Sequence, residues 1–244
     1  MLNKPISISI QGIIKNFGDT IALDRVNLEF SEGIMHGIIG PEGAGKTTLM
    51  RILLTLLKPN EGNIIYKKDG HVVDFESVRA SIAYMPSSQS LYPDLSIGEH
   101  LYFFKELYGI NDKDYQNRRD ELLHMTRLDP FIDRTAGKLS GGMYKKLGLM
   151  CALLRSPQVM LLDEPTNGVD PISRREFWEL LYRLSDQKIL ILVSTSYMDE
   201  AERCNEVHLL EKGKVIAEGT PRHLLASENV RSFDELFLKR NKND

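Results

Sequence analysis

Eight consecutive residues, Gly40-Pro41-Glu42-Gly43-Ala44-Gly45-Lys46-Thr47, constrain this chain more than any other feature. They follow an apolar run at 34–39 and precede a helical pattern at 46–57, which is stopped by Pro59-Asn60-Glu61-Gly62. The string fits G-x-x-x-x-G-K-[ST], and it stands where that pattern has to stand, between a strand and a helix. Glycines let the backbone curl until successive N–H groups aim at phosphate oxygens. The helix beginning near Lys46 adds the positive end of its dipole. Lys46 is expected at the β- and γ-phosphates and the Thr47 hydroxyl on Mg²⁺. The candidate nucleotide-binding set is Gly40, Pro41, Glu42, Gly43, Ala44, Gly45, Lys46, Thr47 and Thr48. The alternative is a glycine turn that merely caps a helix.

A second site is spelled by Val159-Met160-Leu161-Leu162-Asp163-Glu164. Four apolar residues make a buried strand whose end delivers two adjacent acids. Ligands of open parallel sheets bind beyond the strands' carboxyl ends, so these acids are expected to face the glycine loop. Asp163 then holds Mg²⁺, usually through water, and Glu164 polarises an attacking water. Taken alone, Asp-Glu-Pro is ordinary turn chemistry.

The rest of the chain supplies a frame for these two sites. The first 30 residues read as extended, with Val26, Leu28 and Phe30 alternating with Asn27 and Glu29. Asp69-Gly70 reads as a turn between the short strands at 64–66 and 71–73. Residues 96–154 are mainly helical, opened by the capping-box string Ser96-Ile97-Gly98-Glu99. Beyond them, strand-like 159–162 and 189–193 alternate with helical 171–185 and 198–204, the pattern of a parallel sheet with helices on its faces. The expected fold is α/β: a core with a parallel sheet (1–87 and 156–230), including an antiparallel β subdomain, with an inserted helical subdomain (88–155) and a tail (231–244).

Composition removes several function classes. The 244 residues carry a formal charge of −3, which argues against a dedicated nucleic-acid binder. The longest apolar run, 147–154, is far below the roughly 18 residues of a membrane span. Met1-Leu2-Asn3-Lys4-Pro5 has no apolar stretch behind its charge, so no signal peptide is expected. Cys151 and Cys204 lie far apart without ligand-spaced histidines, which points to a reducing setting rather than a zinc site.

Between the two sites lies Leu139-Ser140-Gly141-Gly142-Met143, and with it the chain resembles the ATP-binding subunits of ABC transporters. The string resembles that family's signature motif. Asp163-Glu164-Pro165-Thr166 and Gly168-Val169-Asp170 are similar to its Walker B and D-loop segments, so the fold implied is a P-loop NTPase core. The similarity runs from Phe17-Gly18 to Ser232-Phe233-Asp234-Glu235-Leu236-Phe237 and is strongest to exporter-type ATPases that pair with multispan permeases. The resemblance implies ATP and Mg²⁺ as ligands. It implies two such domains face to face, each ATP lying between one P-loop and the other domain's signature, so that Leu139, Ser140, Gly141 and Gly142 of this chain serve the opposite site. It also implies a cytoplasmic subunit held at the membrane through its permease, Asp170 at the contact between the domains, and Phe17 stacked on adenine. A core phenylalanine is the other reading of Phe17, and an ordinary helix N-cap the other reading of both Ser140 and Asp170.

Two positions depart from the family. The strand at 82–85 leads through Pro86 to Ser87, where relatives carry a glutamine that touches Mg²⁺ and water, and Gln89 follows two residues later. The strand at 189–194 leads to Thr195-Ser196, where relatives carry a histidine at the γ-phosphate; all six histidines, 36, 71, 100, 124, 208 and 223, lie elsewhere. A serine is shorter than either and cannot be a cation near neutral pH. Losing one positioned charge-stabilising donor costs on the order of 10²–10³ in rate. Two readings stay open: a slow site on this P-loop, or substitution by Gln89 and water. The expected function is an ATPase driving an exporter together with another, different ATP-binding domain; the alternative is a catalytically weak, regulatory half of an asymmetric complex.

Overall fold

The computed structural model describes residues 5–241. Two sheets form the frame. The first has the order β2-β1-β4-β5, all antiparallel, from β1 (Ile6–Phe17), β2 (Thr20–Phe30), β4 (Glu61–Lys68) and β5 (His71–Val73). The second has the order β10-β9-β3-β8-β7-β6, from β3 (Met35–Ile39), β6 (Ile82–Met85), β7 (Val159–Asp163), β8 (Leu190–Thr195), β9 (Glu206–Glu211) and β10 (Lys214–Gly219). Only β10 runs antiparallel in it.

Strand parity divides the interior into two cores. Val159, Leu161, Leu190, Leu192 and Ile38 face the first sheet, where α1 (Lys46–Leu53) is packed between the layers with Ile6, Ile8, Ile10 and Ile13. The intervening residues Met160, Leu162, Ile191 and Val193 face the helical side. Continuous apolar strands are what a sheet covered on both faces requires. Around them lie α2 (Phe75–Arg79), α3 (Ile97–Tyr108), α4 (Asp112–Thr126), α5 (Gly141–Leu153), α6 (Pro171–Ser185), α7 (Pro221–Ser227) and α8 (Phe233–Asn241). The three helices α3, α4 and α5 fall between β6 and β7 in the chain.

Local chemistry accounts for the helix starts. Ser96 and Glu99 close a reciprocal capping box on α3, and Asp170 accepts from the N–H groups of Ile172 and Ser173 ahead of Pro171. One expected element is shorter than read. The helix at 46–57 ends at Leu53, because Thr55 takes a left-handed conformation and the N–H groups of Leu56 and Leu57 both turn back to the Arg51 carbonyl. Residues 198–204 form a 3₁₀ segment, Met198–Arg203, rather than an α-helix.

Candidate functional site

The parallel register aligns the carboxyl ends of β3, β7 and β8: Ile39 pairs with Thr195, and Asp163 with Ser194. Everything chemical in the chain's P-loop region is gathered beyond that edge. Gly40 begins the loop by donating to the Thr195 carbonyl, and no side chain fits there, since a Cβ would lie 2.0 Å from the Leu210 carbonyl oxygen. Gly45 ends it at φ 106°, its missing Cβ 2.5 Å from the Ala22 carbonyl oxygen. The loop therefore closes against β2 and β9 and opens toward β7.

Asp163 is fully buried and accepts from three hydroxyls. Thr47 Oγ1 lies 2.9 and 3.1 Å from its two oxygens, Ser194 Oγ 2.5 Å and Tyr84 Oη 3.4 Å away. Burial and the neighbouring Asp163 charge push the Tyr84 phenol up to about 12. A threonine hydroxyl and a carboxylate converging on one point are hard oxygen donors of the kind Mg²⁺ takes alongside phosphate and water. Among the described residues no cluster of three or more His, Cys, Asp or Glu could hold a metal. The fit to Mg²⁺ rests on the Thr47 hydroxyl and the Asp163 carboxylate alone.

Glu164 occupies the next position at φ 48°, a strained conformation for a residue with a side chain. Its N–H is secured by the Ser194 carbonyl and hydroxyl, both at 3.1 Å. The carboxylate is thereby turned to Lys46, 2.9 Å away, and to the Ser196 N–H at 3.2 Å and hydroxyl at 3.4 Å. Lys46 also donates to the carbonyls of Gly40 and Pro41 at 2.7 and 3.0 Å. The ammonium thus sits over the loop against an anionic oxygen, in the setting a phosphate oxygen would offer it.

The structure separates the remaining expected residues into groups. Phe17 is 51% exposed with Lys15 Nζ 5.1 Å above its ring, so it is not a core residue. Glu42 is exposed. Thr48 is half-buried in the first turn of α1. Ser87 and Gln89 lie exposed on the loop after β6, beside a cavity of about 610 Å³ that Leu139, Gly141, Asn167 and Gly168 also line. Ser140 caps α5 through the Met143 N–H at 3.3 Å and is exposed, as are Gly141 and Asp170. Gly142 is buried where α5 meets α6; a Cβ there would fall 2.4 Å from that of Ser173. No histidine reaches the site among the described residues: His36 and His208 pair with each other, and His100 is held by Tyr92 and Ser96.

Sequence reading missed three contributors. Ser194 and Tyr84 hold Asp163, and Lys145 donates to the Glu164 carbonyl at 3.3 Å and the Ser87 carbonyl at 3.5 Å. The parity of β6 and β8 signals the first two only once the register is known. The tandem Lys145-Lys146 gave no indication of which lysine turns inward.

A glycine loop opening a helix beneath a parallel sheet, with paired acids at the neighbouring strand end, defines a P-loop NTPase of the ATP-binding-cassette type. The family described as ABC transporter matches residues 23–167, and this chain belongs to it. A probable multidrug ABC transporter ATP-binding protein of Escherichia coli K12 is 42% identical over 228 residues, 93% of this chain and 39% of that protein. Nod factor export ATP-binding protein I of Cupriavidus metallidurans is 35% identical over 222 residues, 91% of this chain and 73% of its own length. A solved structure of the ATP-binding subunit of an ABC transporter superposes with a TM-score of 0.82 at 29% identity, covering 95% of this chain and 98% of that one. The chain spans less than half the length of the Escherichia coli relative.

Proposed function

We propose that this chain binds and hydrolyses ATP to drive a membrane exporter, closing on ATP against a second, different ATP-binding domain while docked to a multispan permease. One observation carries the reading: Lys46, Thr47, Asp163 and Glu164 meet within single hydrogen-bond distances at the mouth of the glycine loop. The backbone N–H groups of residues 40–48 bind the phosphates, Lys46 exchanges Glu164 for the β- and γ-phosphates, and Phe17 stacks on the adenine. Thr47 and Asp163 would hold Mg²⁺, which would supply charge neutralisation to the phosphates. Glu164 accepts a proton from the water that attacks the γ-phosphorus, the bond to the β–γ bridging oxygen breaks, and ADP and phosphate leave.

The asymmetry of the assembly rests on what surrounds Glu164. Ser196 contributes a neutral hydroxyl there, and Ser87 is exposed with its carbonyl turned to Lys145. This chain's own site is therefore slow. Its signature is intact, and Ser140, Gly141 and Asp170 face solvent, available to an opposing P-loop. A pair of identical chains would repeat the two serines in both sites, whereas a complete partner creates one competent site served by Ser140. Exposed Tyr92, Tyr102, Phe103 and Leu107 around α3 offer an apolar surface to a short permease helix. No helix among the described residues is long and apolar enough to cross a membrane, and we place the chain on the cytoplasmic face through that contact. The regulatory-half reading is favoured by the same two serines.

The test compares two variants in the complex purified with its permease. Ser140→Arg abolishes ATPase activity by blocking the partner's γ-phosphate, and Glu164→Gln costs far less. Equal losses, or ordinary transporter rates from the purified chain alone, would overturn the asymmetric assignment.

A further inference from the structure

Lys145 and Lys146 are adjacent on α5, about 100° apart around the helix, and they do different work. Lys146 pairs with Glu176 of α6 at 2.7 Å, an ordinary tie between two helices. Lys145 points the other way, into the cavity of about 610 Å³ between the loop after β6, the start of α5 and residues 167–169. It is the one charged side chain lining that cavity among the described residues. Its ammonium donates to the Glu164 carbonyl at 3.3 Å and the Ser87 carbonyl at 3.5 Å. One side chain therefore joins three pieces of backbone: the helix that Ser140 caps, the strained turn that aims Glu164, and the loop that begins at Ser87.

We propose that Lys145 is a positioning residue that locks the signature helix to the two loops bearing Glu164 and Ser87, so that the half-site offered to the partner is held in register with this chain's own site. The inference rests on the ATP-site reading above and extends it to a residue outside the nucleotide's reach. Rigid placement matters because a donor to a γ-phosphate has to be held within about 0.5 Å, and Ser140 stands exposed at the start of α5, which Gly142 and Lys146 tie to α6. The two longer contacts of Lys145 add a second tie, from α5 to the backbone that carries Glu164 and Ser87.

The clamp has a pH signature. Burial lowers the affinity of Lys145 for its proton, against the opposing pull of Asp163 and Glu164. Those two carboxylates, with Lys46 paired to Glu164, are the charged groups bearing on it; residues 86–90 and 167–169 bring none. Raising the pH through its lowered range removes the charge and weakens both bonds.

Three forms of the assembled complex test this: the unaltered chain, Lys145→Met and Lys145→Arg. Steady-state ATPase is followed from neutral pH into the alkaline range, and a fluorescent ATP analogue is titrated onto each purified chain. Lys145→Met lowers kcat about tenfold, the scale of one lost charged hydrogen bond, while KM and analogue affinity stay within about twofold. Lys145→Arg, which keeps its charge, restores most of kcat and moves the alkaline decline to higher pH. Full kcat in Lys145→Met, equal losses in both variants, or one alkaline limb shared by all three overturns the proposal. Lys46→Ala separates the two levels. If it abolishes analogue binding while Lys145→Met is silent, only the clamp fails; if it leaves affinity intact, the ATP-site reading fails and the clamp with it.

Discussion

Replacing Glu164 by glutamine separates two consequences that the structure sets in opposite directions. The carboxylate holds Lys46 at 2.9 Å, with both side chains almost wholly out of water. A triphosphate has to displace that partner before it can engage the ammonium. Glutamine keeps the shape, the Ser196 N–H acceptor and a weaker acceptor for Lys46, but it lacks the charge. A hydrogen bond to a charged partner is worth about 1.5–3 kcal/mol against about 0.5–1.5 for a neutral one. The difference, about 1–1.5 kcal/mol, corresponds to roughly five- to tenfold in an equilibrium constant. Glu164→Gln is therefore expected to bind ATP about five- to tenfold more tightly than the unaltered chain, while hydrolysis at this site slows. The loss to folding is small, because Lys46 retains the Gly40 and Pro41 carbonyls and is not left as an isolated buried charge. Isothermal titration of the purified chain with a non-hydrolysable ATP analogue measures the affinity without interference from turnover. Unchanged or weaker binding by the variant would refute the idea that Glu164 holds Lys46 in competition with the γ-phosphate.

Two further expectations concern other parts of the molecule. Phe17→Ala weakens ATP binding by about 1–3 kcal/mol, the value of one base–aromatic stack, and leaves the melting temperature nearly unchanged because the ring is exposed; a drop in melting temperature with no change in affinity would return Phe17 to a structural role. The buried His36–His208 pair gives the fold an acid limit. Burial lowers His36 to about 4 and His208 to about 3, His36 adding to the shift of His208, so between pH 6.5 and 4 the unfolded chain takes up protons that the native chain does not, and stability falls as pH falls. Thermal melts across that window show the decline, and His36→Asn combined with His208→Asn flattens it.

The P-loop was legible in sequence because its pattern is contiguous, although what excludes a Cβ at Gly40 and Gly45 is the distant backbone of Leu210 and Ala22. The strand–helix alternation after residue 156 was legible for a similar reason, since apolar runs of strand length followed by Asp-Pro and Ser caps carry their own boundaries. The end of α1 was not. Leu54, Thr55, Leu56 and Leu57 continue a helical pattern, and the left-handed turn at Thr55, with the Leu56 and Leu57 N–H groups folded back onto the Arg51 carbonyl, stops it. Asp163 and Glu164 were found from their neighbours in sequence, but the strained backbone that turns Glu164 onto Lys46 depends on Ser194, thirty-one residues beyond Asp163 and across a parallel register. Side chains that act across strands become visible only when the register is known.

Ser87 and Ser196 show how far substitution alone carries a functional conclusion. Both are small hydroxyls in place of larger groups, and sequence treats them as equal losses. Their surroundings differ. Ser196 contacts the Glu164 carboxylate through its N–H and hydroxyl, so it stays tied to the proposed base although it brings no imidazole. Ser87 is exposed, and its contribution to the site is a carbonyl gripped by Lys145. If the proposed roles hold, the deficit at this P-loop is specific: a cation and a long-reach amide are absent beside the water and γ-phosphate, while Glu164 keeps its ion pair with Lys46 and Asp163 its hydrogen bond from Thr47. On the proposed reading, such a site is expected to retain nucleotide and turn it over slowly, which would suit a subunit whose Ser140 serves the site opposite.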